Sequence, residues 1–210
     1  MFKLILYACA FLLGSALMAF EIIVARMLTP HFGGDLYTWA AVISVVLFAM
    51  MVGYFIGGRL VDWRPSLHWA AAAAALAGLW LLTFDLYAGD MFVALSDYFL
   101  DEHQGVLVAA FLAQIVPVTA LGAYSPIAVR VALQSVAEAG RVSGEIYAVS
   151  TIGNVVGTLG AAFFLIGTFP LSSSVFAMGL ICLVCAAALY VAEAYFRTPQ
   201  PQDAPAPGPA

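Results

Sequence analysis

The chain has 210 residues, 64% of them hydrophobic and 9% charged, with a formal net charge of −5 and a mean hydropathy of +1.02. A soluble domain carries roughly 25% charged residues, so the composition excludes a soluble globular protein and points to the lipid bilayer. Lys and Arg together number 7, which leaves no basic patch for nucleic acid.

Crossing the hydrocarbon core takes about 20 apolar residues in a helix, and six runs qualify. The first, Leu4–Leu28, carries Glu21 about two-thirds of the way along and Arg26 near its far end. A cleaved signal peptide is the competing reading, with Lys3 as its basic start and Ala19 as the small residue at the cut. Leu17 would then occupy the −3 position, and the apolar stretch runs on past Glu21, too long for a typical signal core. Pro30, Gly33 and Gly34 predict a tight external turn before the second run, Leu36–Gly57. That run ends in a Gly53/Gly57 close-packing pair and a charged exit of Arg59, Asp62 and Arg64. The third run is Leu67–Tyr87. The acidic connection Ala88–Gln104 follows, in which MFVALSDYFL has apolar residues at helical spacing and predicts a short interfacial helix. The fourth run, Val106–Gly122, contains Gln114 and, one turn on, Pro117, which is expected to kink it. In the long internal connection Tyr124–Glu145, Pro126 predicts the start of an amphipathic helix, SPIAVRVALQSVAEAG, ended by Gly140. The fifth and sixth runs are Ile146–Phe169 and Ser173–Tyr195. From Thr198 the tail is rich in Pro and Ala, has no apolar face and is expected to be disordered. The domain organisation is thus a membrane domain over residues 1–197 and a tail over 198–210.

Six crossings put Lys3, Arg59, Arg64, Arg130, Arg141 and Arg197 on one side and leave only Arg26 toward the other. The positive-inside rule makes the common side cytoplasmic, with both termini inside. Asp35, Asp90, Asp97, Asp101 and Glu102 fall on the opposite side.

Ionisable groups at membrane depth are expensive and usually face a bundle interior. Glu21 reads either as a proton- or cation-binding carboxylate in a cavity, or as a structural carboxylate paired with Arg26 or with hydroxyls of another helix. Five residues is about 140° around a helix, so Glu21 and Arg26 do not face each other, and Arg26 can snorkel outward. On the fifth helix Tyr147, Ser150, Thr151, Asn154 and Thr158 follow steps of three and four and share one face. Gly153, Gly157 and Gly160 overlap that face and permit close helix approach. The stripe is either interhelical glue or the lining of a substrate path, and a contact between Asn154 and Glu21 would link it to the first helix. Arg59, Asp62, Arg64 and Arg130 form a candidate cytoplasmic partner surface; the plainer reading is positive-inside anchors with an i,i+3 Arg–Asp pair. Cys9, Cys182 and Cys185 all lie in apolar runs and read as packing residues. No His sits mid-helix, which disfavours a transmembrane haem. H-E-x-x-H and G-x-S-x-G are also absent from the sequence, so neither usual cue for an intramembrane protease is present. No cofactor, metal site or enzymatic activity is expected.

The segments AFEIIVAR, PHFGGDLYTW and GYFIGGRLVD, with SPIAVR at Ser125–Arg130 and GRVSGEIYAVSTIGNVVGT from Gly140 to Thr158, resemble the membrane part of the fused spermidine-synthase-like proteins, also labelled fused major-facilitator/spermidine synthase. The similarity touches every predicted helix except the third and sixth. It implies an all-α, six-helix domain resembling half a major-facilitator fold, made of two three-helix units, in a bacterial-type inner (plasma) membrane. Matching positions are Glu21, Arg26, Arg59, Asp62, Arg130, Tyr147 and Ser150. Fused members continue into a soluble aminopropyltransferase domain, whereas these residues end in the Pro/Ala tail, so that activity would need a separate chain. The expected function is a non-catalytic membrane module that anchors or serves a soluble or membrane protein partner. The alternative is a small homo-oligomeric transporter, as a homodimer, of polyamines or another small cation. An intramembrane enzyme ranks last, because no nucleophile and base are visible together.

Overall fold

The computed structural model describes residues 2–133 and 135–196. The tail expected from Thr198 onward lies outside the described residues, as does Arg197. Six helices are long and apolar enough to cross a membrane: α1 (Phe2–Phe32), α2 (Leu36–Trp63), α3 (His68–Tyr98), α4 (Glu102–Ala132), α5 (Ala139–Thr168) and α6 (Leu171–Phe196). A short 3₁₀ turn, Val136–Glu138, leads into α5, and α5 widens into one π-helical turn at Ala161–Leu165.

The turn between α1 and α2 follows from its residues. Gly33 adopts φ +80°, a conformation that only glycine reaches without strain. Asp35 then caps α2 by accepting from the Thr38 amide at 3.1 Å, one of the orphan donors of a helix start. Two predicted helices merge into longer ones. Met91–Tyr98 belongs to α3, so no separate interfacial helix forms there. Pro126 lies inside α4 rather than starting a new helix, and Gly140 falls in the first turn of α5 rather than ending one. Hydropathy marks where the apolar run stops, but backbone hydrogen bonding continues into the polar ends. Pro117 is absorbed in the same helix. It lacks the N–H that would bond the carbonyl of Ala113, and the Trp80 indole of α3 donates to that carbonyl at 3.3 Å.

α1 and α4 run antiparallel through the centre, with Tyr124 beside Leu6 at one end and Gly105 beside Phe32 at the other. α3 and α6 pack on each other behind them, while α2 packs on α4 and α5 on α1 at the front. Between helices in lipid, association rests on close packing rather than on water exclusion, and glycines supply it three times. A Cβ on Gly53 or Gly57 of α2 would strike the backbone of Thr119 or Ala123 of α4. A Cβ on Gly153 or Gly157 of α5 would strike the backbone of Phe11 or Ser15 of α1. At the back, Gly78 and Gly179 face each other, each also against a leucine of the opposite helix, Leu183 and Leu82. The end of the bundle that carries the start of α1, Arg59, Arg64, Arg130 and Arg141 is called the basic end below. The opposite end, with Asp35, Asp97 and Asp101, is the acidic end.

Candidate functional site

A cavity of about 60 Å³ lies between α1 and α4 at the front, walled by α2 and α5. Ala10, Leu13, Gly14 and Leu17 of α1 and Leu121, Gly122, Tyr124 and Ser125 of α4 form its floor; Tyr54 of α2 and Tyr147, Ser150, Thr151 and Asn154 of α5 rise beside its mouth. Four of the five stripe residues, Tyr147, Ser150, Thr151 and Asn154, therefore line one cavity; Ser150 and Asn154 lie against α1, and Tyr147 and Thr151 are exposed. Gly14 makes this possible, since a Cβ there would lie 2.7 Å from both the Asn154 side chain and the Ser150 carbonyl.

Three of the seven polar side chains that line the cavity, Tyr124, Thr151 and Asn154, bond to neighbouring backbone. The Asn154 amide, oriented by its hydrogen-bond network, donates to the carbonyls of Gly14 at 3.0 Å and Ser150 at 3.2 Å. The Ser15 hydroxyl donates to the Gly153 carbonyl at 2.9 Å, and the Thr151 hydroxyl to the Tyr147 carbonyl at 2.7 Å. The buried Tyr124 hydroxyl donates to the Leu6 carbonyl at 2.6 Å. Towards the basic end the floor closes with an α1–α5 link. The Tyr7 hydroxyl donates to Glu145 at 2.5 Å, and Arg141 lies 3.4 Å from Glu138 and 3.9 Å from Glu145. A space of this size holds a few water molecules, and its walls offer the two to four polar partners each would need.

The other expected site residues lie apart from this cavity. Glu21 is 9% exposed and has no hydrogen bond or ion pair among the described residues. It does not meet Asn154, which is spent on Gly14, one turn below Leu17. Arg26 is exposed towards the acidic end and forms no ion pair among the described residues. Arg59, Asp62, Arg64 and Arg130 are all exposed near the basic end. The expected Arg59–Asp62 pair does not form; the Arg59 guanidinium sits 4.5 Å over the Phe55 ring instead, a contact that needs no second charge.

Several polar groups escaped the sequence reading. Tyr54, Tyr124 and Ser125 line the cavity, but Tyr54 shows no periodic polar partner in its apolar run, and Tyr124 and Ser125 follow the fourth run where a connection was expected. Glu193 of α6 is buried and caps the start of α3, accepting from the Ser66 hydroxyl at 2.7 Å and the Leu67 amide at 3.1 Å. No local spacing joins residues so far apart in the chain. Gln114 is fully buried, and neither its amide nitrogen nor its carbonyl oxygen has a partner. Its signal was visible, since it is the one amide in the apolar run of α4.

Comparison with protein-family models, with curated proteins and with solved structures gave no match.

Proposed function

We propose that the chain is a non-catalytic integral membrane module that works with another membrane or soluble protein. The observation that carries this reading is the condition of α5. Its most apolar window is 17% buried, against 61% for those of α1 and α4, yet this helix supplies much of the polar wall of the cavity. On the two helices that flank the mouth, Phe48, Met51 and Phe55 of α2 and Ile152, Val155 and Leu159 of α5 are exposed. Exposed apolar residues on the same helices as polar Tyr54, Tyr147 and Thr151 suit a protein partner better than acyl chains, which offer the polar groups nothing. The exposed Arg59, Arg64 and Arg130 extend the surface at the basic end, which we assign to the cytoplasm together with both termini, in a bacterial-type inner membrane.

The helix pairing supports a half-major-facilitator plan of two three-helix units. Exchanging α1 with α4, α2 with α5 and α3 with α6 turns Gly53/Gly57 on Thr119/Ala123 into Gly153/Gly157 on Phe11/Ser15, and returns the Gly78–Gly179 contact to itself. Since α1 and α4 are antiparallel, the units are inverted, as in facilitator halves. This plan is consistent with the resemblance to the membrane part of spermidine-synthase-like proteins. Purification from the native membrane with a mild detergent, followed by mass spectrometry, tests the module reading. A second protein at fixed stoichiometry, lost on substituting Arg59 and Arg130 with Ala, is the expected outcome; recovery of the chain alone would end it.

The cavity favours a second reading. In inverted-repeat transporters the substrate site lies where the repeats meet, and this cavity lies between α1 and α4, the central pair. A homodimer carrying polyamines or another small cation would then be the working unit. Proteoliposome uptake of labelled polyamine is its test, and uptake no greater than in empty liposomes would remove it.

A further inference from the structure

Two buried polar side chains without partners lie beyond the cavity, on its acidic-end side. Glu21 lies seven residues from Gly14, and Gln114 seven from Leu121. Two helical turns return to nearly the same phase, so each continues the cavity-facing side of its own helix. The antiparallel register of α1 and α4, fixed by Leu6 against Tyr124 and Phe32 against Gly105, brings the two residues to within about one turn of the same depth. Side chains on a helix lean toward its N-terminus. Glu21 therefore leans toward the cavity and Gln114 away from it. Glu21 is 9% exposed and Gln114 0%.

A carboxylate at this depth needs a proton or a counter-cation, and a buried amide with both ends unpaired is costly. We propose that Glu21 and Gln114 together bind one small cation bearing N–H donors, of the ammonium or methylammonium type. The Glu21 oxygens supply the charge and accept N–H bonds, and the Gln114 carbonyl accepts another. Its NH₂ is free to donate to the carboxylate and hold it in place. The oxygens of these two side chains are too few for a dry alkali-metal ion, which takes about six, but they suit the directional donors of an ammonium. Leu17 lies one turn from Glu21 toward the cavity and separates the two sites, so the cavity residues are not part of this one.

The inference deepens the transport reading but is tested apart from it. Titration calorimetry of the full chain in lipid nanodiscs compares methylammonium with tetramethylammonium, which has the same charge and no N–H. Saturable methylammonium binding is expected, with tetramethylammonium at least about tenfold weaker, the size of one hydrogen bond to a charged group. Glu21→Gln should abolish binding, and Gln114→Leu should weaken it at least about tenfold by the same argument. Absence of saturable binding, equal binding of the two cations, or wild-type binding by Glu21→Gln overturns the proposal. Should Glu21→Gln fail to fold, labelling of wild-type Glu21 by dicyclohexylcarbodiimide decides: protection by methylammonium supports the site, and unchanged labelling refutes it. Binding without uptake keeps the site and removes transport. Uptake that survives Glu21→Gln keeps transport through the cavity, and the titration alone then decides the site.

Discussion

The central α1–α4 pair carries polar side chains in two regions, and their condition differs. Around the cavity, Asn154, Ser15, Thr151 and Tyr124 each donate to a nearby carbonyl. On the acidic-end side, Glu21 and Gln114 are as deeply placed and bond to nothing among the described residues. Of the first set, Asn154, Ser15 and Tyr124 join one helix to another and Thr151 bonds within its own, so their donor capacity is used within the fold. The second set costs stability as it stands, and such a cost is retained where something else is to be bound. Polarity at membrane depth is thus a weaker guide to function than polarity left unsatisfied.

The largest expected effect probes the packing under the cavity. Gly157→Leu drives a side chain into the backbone of Ser15 and should cost about 3 kcal/mol or more, with loss of the folded bundle. Gly144→Ala, on the same helix with open space around it, should instead stabilise by about 0.5–1 kcal/mol. Thermal unfolding in detergent measures both, and equal effects would mean that α5 does not lie on α1 as described. Next in size, Tyr124→Phe removes the bond to Leu6 and should cost about 1 kcal/mol. Gln114→Leu should have the opposite sign, neutral or stabilising by about 1 kcal/mol, since it removes an unpaired amide and leaves no partner stranded. A loss of stability as large as that of Tyr124→Phe would place Gln114 among the satisfied groups and collapse the distinction. The smallest effect is at the basic end. Arg59→Ala gives up one exposed cation–π contact and should change stability by about 0.5 kcal/mol or less, so any larger consequence in cells would be a matter of partners.

Hydropathy alone yields the six spans, because a bilayer demands a minimum apolar length and little else. It misplaces their ends for the same reason: α3 and α4 stay helical well into polar sequence. The α5 stripe was legible because period 3.6 turns spacing into a face, and the Ser150 and Asn154 part of that face does meet α1. Which polar groups are satisfied was not legible, because a partner such as the Leu6 carbonyl or the Ser66 hydroxyl comes from a distant part of the chain, and nothing in its own segment points to the residue it meets. The glycines are an intermediate case. Gly53/Gly57 and Gly153/Gly157 announce close approach, but their targets on α4 and α1 are backbone, and backbone is silent in a sequence.

The π-helical turn at Ala161–Leu165 has a consequence for how this chain can change length. Such a turn holds one residue more than the α-helical turn it replaces, so the residues beyond it are offset by about 100° from a continuous α-helix. Losing one residue within that turn would restore an ordinary helix and leave Tyr147, Ser150 and Asn154 where they are relative to α1. The same deletion between Tyr147 and Asn154 would swing part of the stripe away from the cavity. Natural variants of this helix are therefore expected to gain or lose single residues in that one turn and to keep strict length on its Tyr147 side.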